Sequence, residues 1–340
     1  IEKCGGINVE KLLDEIESYW STRTEGYSEV NHKELAGTQK NAWLKVLTSQ
    51  FPDKPKEEIR ILDIGTGPGF FPVILAEAGY HVDAVDYTEG MLEKAKENAG
   101  DLCRNIRFLR MDAQKLDFED NTFDVVISRN LTWNLEHPDV AYREWVRVLK
   151  VGGRLLNFDA NWYGYLYEEE QRKAYENDRK NVENNSLDDH YLCTDIERME
   201  RIALQVPLSK ISRPQWDVKT LREAGLLGIR TDTEIWKTVW SEEERLNYQS
   251  TPMFMVTGVK PDHFLNLPVA AGEKTEGFLE LGDGEFVLPA TIIRGKDPGK
   301  TVLVTAGLHA GEYVGIQTLI ELSKKLNPEK VNGQLILVKV

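Results

Sequence analysis

The stretch ILDIGTGPGF, residues 61–70, decides the fold, because an apolar run meets a glycine-rich turn there and a helical pattern follows. Asp63 stands at the end of the run, and Gly65, Gly67 and Gly69 follow in the turn. Glycine lacks the Cβ that would keep backbone amides away from a ligand, and a helix N-terminus adds partial positive charge. The stretch therefore predicts a strand-turn-helix unit that binds a polar, partly anionic group.

The glycine spacing argues against a dinucleotide. A NAD or FAD fold favours Gly-x-Gly-x-x-Gly, whereas Phe70 occupies the position of the third glycine here.

Outward from this turn, apolar β-branched runs alternate with amphipathic segments. IRILDIG precedes FFPVILAEAG, HVDAVDY precedes EGMLEKAKENAG, and IRFLRMDA and FDVVISRN follow. Such alternation indicates parallel strands joined by crossover helices. Before it, VEKLLDEIESYW predicts an N-terminal helix that leads into a loop. Residues 161–215 break the rhythm with a polar, helix-prone stretch, which we interpret as an inserted cap.

Two acidic residues stand at the ends of the next predicted strands. Asp86 ends VDAVDY, where a carboxylate can accept hydrogen bonds from both hydroxyls of a ribose. Asp112 follows the third strand, where an adenine would lie.

Net charge and hydropathy limit the classes of molecule that this protein is expected to bind. The 340 residues carry 56 acidic and 42 basic side chains, a net charge of -14, which repels polyphosphate backbones. No apolar run approaches the roughly 18 residues of a membrane span. Three scattered cysteines suggest no disulfide framework. We expect a cytoplasmic protein with a small-molecule substrate and neither nucleic acid nor membrane as partner; a homodimer stays an open alternative.

The ordered motifs ILDIGTGPGF, VDAVDYTEGMLEKA, MDAQKLDFEDNTFDVVISRNLTWNL and VRVLKVGGRLL resemble class I S-adenosylmethionine-dependent methyltransferases, especially the ubiquinone/menaquinone-type group. The resemblance covers roughly residues 10–260. It implies a Rossmann-like α/β fold with a seven-stranded, mostly parallel sheet. It also implies cofactor contacts at Asp63, Gly65, Gly67, Gly69, Asp86, Tyr87, Met91, Asp112, Ala113 and Ser128. As an alternative, these residues only form the turns and caps of another doubly wound fold.

Three residues are candidates for the methyl-transfer step. The resemblance places Asn130, with Ser128 and Arg129, beside the transferred methyl group. Tyr27 stands where related enzymes use a tyrosine against the cofactor, and aromatic faces attract a sulfonium. His190 is the histidine that we would test as a general base, ahead of His32 and His137.

The second motif is VLVTAGLHAGEYVGIQ, residues 302–317. It resembles the start of the succinylglutamate desuccinylase/aspartoacylase group of zinc carboxypeptidase-like proteins, which implies zinc ligation by His309 and Glu312. A catalytic zinc needs three protein ligands, and no histidine follows His309. We therefore expect an incomplete site, with zinc bound only if a longer parent chain completes it; a vestigial or docking segment is the alternative.

Together these observations predict two domains. Residues 1–260 form a methyltransferase that acts on a small molecule, and residues 261–340 form a partial second α/β domain. Two alternatives remain: a zinc-dependent deacylase in which the methyltransferase fold only binds or regulates, and an adaptor without cofactor.

Overall fold

The computed structural model describes residues 9–191, 194–261, 267, 269–281, 286–297, 299–307 and 313–340. The chain divides into two compact units. The first comprises Ile1–Ala224 and Ile229–Gly258, and the second comprises Gly225–Gly228 and Val259–Val340.

The first unit is built on one sheet of seven strands. In chain order they are β1 (Arg60–Ile64), β2 (His81–Asp86), β3 (Ile106–Arg110), β4 (Phe123–Arg129), β5 (Leu149–Asp159), β6 (Leu227–Asp232) and β7 (Phe254–Val259). Their spatial order is β3-β2-β1-β4-β5-β7-β6, and the pairs from β3 through β5 are parallel. The predicted Rossmann-like, mostly parallel sheet is confirmed. Strand order reverses between β1 and β4, which opens a crevice at their carboxyl ends.

Helices accompany these strands in the first unit. They are α1 (Val9–Ala36), α2 (Gln39–Thr48), α3 (Phe70–Glu77), α4 (Glu89–Ala99), α5 (Pro138–Val148), α6 (Glu169–Asn184), α7 (Ile196–Ala203), α8 (Gln215–Glu223), α9 (Trp236–Val239) and α10 (Glu242–Asn247). Helices α6 and α7 lie within the segment interpreted as a cap. No helix of the described part of the chain is both long and apolar enough to cross a bilayer.

The prediction of a loop after the first helical segment is wrong. Helix α1 runs without a break from Val9 to Ala36, a length of 28 residues. Its second half is polar, yet it keeps a buried face made of Ser28, Asn31 and Glu34. Glu34 is paired with an arginine at the end of β4. Hydrophobic periodicity misses a helix whose buried face is stabilised by polar contacts.

The core lies on both sides of the sheet, as expected for parallel strands. Six of the seven residues of β4 are buried. A large cluster joins Trp43 and Leu47 of α2 to Phe70 and Ile74 of α3 and to Phe158 of β5.

The second unit contains a sheet of four strands in the order β10-β11-β9-β8. The strands are β8 (Lys274–Leu281), β9 (Phe286–Arg294), β10 (Thr301–Ala306) and β11 (Gln334–Lys339), and helix α11 (Tyr313–Lys325) connects the parallel pair β10 and β11. His309 and Glu312 lie outside the described residues. Within the described ones, no group of three or more potential metal ligands is assembled.

Candidate active site

A cleft lies at the carboxyl ends of β1 to β4. The sheet side contributes Gly65, Gly67, Asp86, Tyr87, Thr88, Met91, Asp112, Ala113, Arg129, Asn130, Leu131 and Asn134, among others. Helix α1 contributes Leu13, Ile16, Glu17, Trp20 and Tyr27.

The glycine loop has the backbone that its sequence predicts. Gly65 and Gly67 have φ of +68° and +53°, values that favour glycine. A Cβ on Gly65 would lie 2.8 Å from the Leu131 side chain, whereas one on Gly67 would lie 3.9 Å from the Tyr27 ring. Glycine at position 65 therefore lets the β4 loop pack directly on the β1 loop.

Asp86 organises the loop as well as the cleft. Its carboxylate accepts hydrogen bonds from the backbone N–H of Gly67 at 2.8 Å and of Thr88 at 2.9 Å. Burial raises its pKa above the ordinary value, and these bonds partly oppose that shift. The carboxylate thus stands at the cleft wall in a fixed orientation, where a ribose hydroxyl pair would find an acceptor.

Asp63 lies behind the loop and does not line the cleft. It is 2% exposed, and burial raises the pKa of its carboxyl to about 7. The positive charge of Arg129 opposes the shift only in part.

The end of β3 carries the predicted adenine-side residues, and both line the cleft. Asp112 accepts a hydrogen bond from the backbone N–H of Gln114 at 2.8 Å. The Ala113 carbonyl accepts one from the Trp145 indole at 2.9 Å, which fixes this strand end against α5.

Helix α1 forms the opposite wall and is tied down at both ends of the cleft. Arg110 at the end of β3 donates to Glu17 at 2.6 Å. Arg129 at the end of β4 donates to both oxygens of Glu34, at 2.7 and 3.0 Å. Its guanidinium also lies 4.7 Å from the ring centroid of Phe70. Between the two ties, the Tyr27 ring meets Trp20 edge-on, with centroids 5.6 Å apart.

The loop after β4 is held from beneath by buried polar groups. Asp159 accepts from the Thr132 hydroxyl at 2.5 Å and from the Trp133 N–H at 3.0 Å. Arg213 donates to Asp159 at 2.7 Å and to Asp217 at 2.6 and 2.9 Å. Asp159, Asp217 and Thr132 are fully buried, and Arg213 nearly so.

The structure brings most predicted residues to the cleft, but not all of them. Gly65, Gly67, Asp86, Tyr87, Met91, Asp112, Ala113, Asn130 and Tyr27 line it. Gly69 instead caps α3. Ser128 is fully buried and donates to the Ile64 carbonyl at 3.0 Å, so it joins β1 to β4 rather than facing the cleft.

The three candidate histidines are also placed elsewhere. His190 contacts the Tyr248 hydroxyl at 2.9 Å and Glu243 at 3.2 Å. His32 contacts Asn98 at 2.7 Å. None of the described histidines lines the cleft, so this geometry gives no support to a histidine base.

Sequence reasoning missed several residues of the lining. The pattern VEKLLDEIESYW predicts a helix but does not indicate that Leu13, Ile16 and Glu17 of that helix line the cleft. Asn134 and Glu136 had no distinguishing signal, because their positions depend on the short turn Thr132–Asn134.

The glycine loop and the acidic strand ends keep the resemblance to class I S-adenosylmethionine-dependent methyltransferases that the sequence motifs carry. Consistent with this class, residues 62–157 match the sequence model of a family described as "Methyltransferase domain".

Similar curated proteins agree with this class over part of their length. A demethylmenaquinone methyltransferase of Clavibacter sepedonicus is 41% identical over 98 residues, which cover 28% of this chain and 39% of that protein. One from Paenarthrobacter aurescens is 34% identical over 150 residues, 44% of this chain and 56% of that protein. The chain thus spans about half the length of these relatives or less. A crystal structure of a putative S-adenosyl-L-methionine-dependent methyltransferase from Methanococcus maripaludis is 20% identical, with a TM-score of 0.47, over 72% of this chain and 94% of that one.

Proposed function

We propose that this protein transfers a methyl group from S-adenosylmethionine to a small-molecule acceptor. The observation that carries the proposal is the convergence of three strand ends on one cleft. Gly65 and Gly67 after β1, Asp86 after β2 and Asp112 after β3 line the same space.

The residues at this cleft fit that cofactor. Asp86 would accept hydrogen bonds from the ribose, and Asp112 with Ala113 would hold the adenine. The glycine loop, with Asp63 behind it, would face the amino-acid end, because the loop lets backbone amides approach closely. Tyr87 and Met91 would border the sugar and base. Bound S-adenosylmethionine supplies an electrophilic methyl group on a sulfonium.

The chain's own contribution is to bind, orient and exclude water. Helix α1 covers the cleft with Leu13, Ile16 and Trp20, and Leu131 fills the space above Gly65. Tyr27 and Asn130 stand beside each other at the end of β4, since Asn130 hydrogen-bonds the Tyr27 hydroxyl. We propose that these two residues border the reacting groups.

The domain boundaries, the second domain, the cellular location and the partners are predictions from the sequence. We propose that residues 1–260 are the methyltransferase domain, with a cap at 161–215, and that residues 261–340 are a partial zinc-hydrolase-like segment. Zinc binding by His309 and Glu312 would require a longer parent chain. The cytoplasmic location, the homodimer and the lack of nucleic-acid or membrane partners also remain predictions.

Calorimetric titration of S-adenosylmethionine and S-adenosylhomocysteine tests the proposal. We expect micromolar binding that Asp86→Ala weakens at least tenfold, about 1.4 kcal/mol. Asp101→Ala is the matched control, because Asp101 is exposed and does not line the cleft. Absence of binding by the intact protein would refute the proposed function.

A further inference from the structure

The segment that follows β3 is hydrogen-bonded to helix α5 at several points. The Ala113 carbonyl accepts from the Trp145 indole at 2.9 Å, and the Leu116 N–H donates to a carboxylate oxygen of Glu144 at 3.1 Å. Gln114 stands between these two attachments, is partly exposed and lines the cleft. Its backbone is therefore fixed on both sides, and its side chain starts from a defined position.

The Gln114 carboxamide has one orientation. Its Oε1 accepts a hydrogen bond at 2.7 Å from the backbone N–H of His137, the N-cap residue of α5. A backbone N–H only donates, so the carboxamide oxygen must lie on that side and the NH2 group must point the other way. The nitrogen of this NH2 group lies 3.2 Å from Oδ1 and 3.5 Å from Oδ2 of Asp112. Gln114 thus joins the start of α5 to the Asp112 carboxylate.

These bonds leave the two oxygens of the Asp112 carboxylate in different situations. Oδ1 accepts from the backbone N–H of Gln114 at 2.8 Å as well as from its side-chain NH2 group. Apart from the long 3.5 Å contact, Oδ2 accepts no hydrogen bond from the part of the chain that the structure describes. Because Asp112 is partly exposed and lines the cleft, Oδ2 is the oxygen that is left to accept from a ligand.

A carboxylate held in this way can distinguish between nucleobases. An ionised carboxylate only accepts hydrogen bonds, and the exocyclic amino group is the donor on the edge of adenine. A purine with an oxygen at position 6 would place an acceptor opposite an acceptor. A freely rotating carboxylate would turn away from that oxygen, whereas a carboxylate held by two donors must lose those bonds to do so.

We propose that Gln114 is a positioning residue that determines base specificity. It holds the Asp112 carboxylate so that the cleft binds a 6-amino purine nucleoside in preference to the 6-oxo form. This inference rests on the proposed binding of S-adenosylmethionine. It also makes the start of α5 part of the base site, because the bond from His137 sets the direction of the Gln114 carboxamide.

The test compares the binding of S-adenosylhomocysteine and of its 6-oxo analogue, S-inosylhomocysteine, to the full chain by calorimetry. Gln114→Leu removes both side-chain contacts at similar volume. Gln114→Glu keeps an oxygen for the His137 N–H but has no donor for Asp112, so it separates the attachment to α5 from the positioning of the carboxylate. Gln205→Leu is the control, because Gln205 is exposed and does not line the cleft. Thermal melting followed by circular dichroism shows whether each variant is folded.

We expect the intact protein and the control to bind the adenosyl ligand at least tenfold more tightly than the inosyl ligand. In Gln114→Leu and Gln114→Glu this ratio of affinities should fall to less than a third of its value in the intact protein, because Asp112 can then turn away from the oxygen. A residue that only supports the fold would lower both affinities by the same factor and leave the ratio unchanged.

Cofactor binding by the intact protein separates this inference from the proposed function. Equal affinity of the intact protein for the two ligands, an unchanged ratio in the variants, or no binding by either variant would overturn the inference alone. A ratio that falls in Gln114→Leu but not in Gln114→Glu would assign the effect to the His137 attachment and would overturn it as well. Failure of the intact protein to bind S-adenosylmethionine or S-adenosylhomocysteine would instead refute the methyl-transfer function.

Discussion

Two arginines next to the β4 loop, Arg213, which is buried, and Arg129, which is partly exposed, form different kinds of contact. Arg213, beneath the loop, binds two carboxylates, Asp159 and Asp217, and is 3% exposed. Arg129, at the cleft, binds the single carboxylate of Glu34, and its side chain is 16% exposed.

The two arginines join different parts of the molecule. The groups around Arg213 join β5, α8 and the β4 loop, all of which are part of the sheet framework. Arg129 instead joins the framework to α1, which covers the cleft. Asp63, the buried carboxyl behind the β1 loop, feels the charge of Arg129 but has no ion pair among the described groups. Two buried carboxylates share Arg213 beneath the β4 loop, whereas Arg129 at the cleft pairs with one carboxylate.

Replacing Arg213 with Met should have the largest effect. The substitution leaves Asp159 and Asp217 buried without their counter-ion, which costs about 3 to 5 kcal/mol. Chemical denaturation should show this loss in the free energy of unfolding. Arg222→Met, at an exposed position of α8, should change the free energy of unfolding by no more than about 0.5 kcal/mol. If Arg213→Met and the intact protein had the same free energy of unfolding, the buried pairs of Arg213 would not stabilise the β4 loop.

Glu34→Gln should have a smaller effect on stability and a clear one on binding. It leaves Arg129 with a neutral partner at a partly exposed site, for a loss of roughly 1 to 3 kcal/mol. Because α1 is then held less firmly over the cleft, S-adenosylmethionine should bind several-fold more weakly. Glu29→Gln, on the exposed face of α1, is the control for both measurements. If binding were unchanged, the α1 wall would not depend on this ion pair.

Asp63 should make stability depend on pH in a defined direction. Its pKa is raised from 3.8 to about 7 in the folded protein, so the folded state binds the proton more tightly than the unfolded state. Stability is therefore lost as pH rises from about 4 to 7, and the loss is complete above pH 7. Between pH 6 and 8 this amounts to on the order of 1 kcal/mol.

Thermal melting of Asp63→Asn checks this effect. The change in stability between pH 6 and pH 8 should be smaller in the variant than in the intact protein. Asp53→Asn, at an exposed position, should leave the pH dependence as it is. A variant with the same pH profile as the intact protein would argue that Asp63 is charged throughout this range.

Ser128→Ala should have the smallest effect. It removes one hydrogen bond to the Ile64 carbonyl, which is worth about 1 kcal/mol, and cofactor affinity should not change because Ser128 does not line the cleft. Denaturation and calorimetry on the same sample separate the two quantities. A marked loss of cofactor affinity would indicate that Ser128 contacts the cofactor, as the sequence predicts.

The sequence predicts the position at the cleft of those residues whose placement depends on local backbone geometry. Gly65, Gly67, Asp86 and Asp112 follow strand ends, and parallel strands bring their carboxyl ends together regardless of other details. Ser128 and Gly69 share that neighbourhood, but their side-chain directions depend on packing that a motif does not encode.

Residues positioned by long-range contacts could not be predicted in this way. Asn134 reaches the cleft because Asp159 holds its turn, and Asp159 is in turn held by Arg213, more than fifty residues further along the chain. The second half of α1 is stabilised by the ion pair between Glu34 and Arg129, a contact between residues far apart in the sequence. The imidazole chemistry that makes His190 a candidate base carries no information about where its side chain lies in the fold.

Helix α1 is one continuous rod of 28 residues that reaches from Arg110 at one end of the cleft to Arg129 at the other. A molecule lying between this rod and the sheet touches both, so it joins them as a third attachment. Amide hydrogen exchange should accordingly slow along the middle turns of the helix when the cleft is filled, while its first turn, beyond the Glu17 attachment, continues to exchange as before.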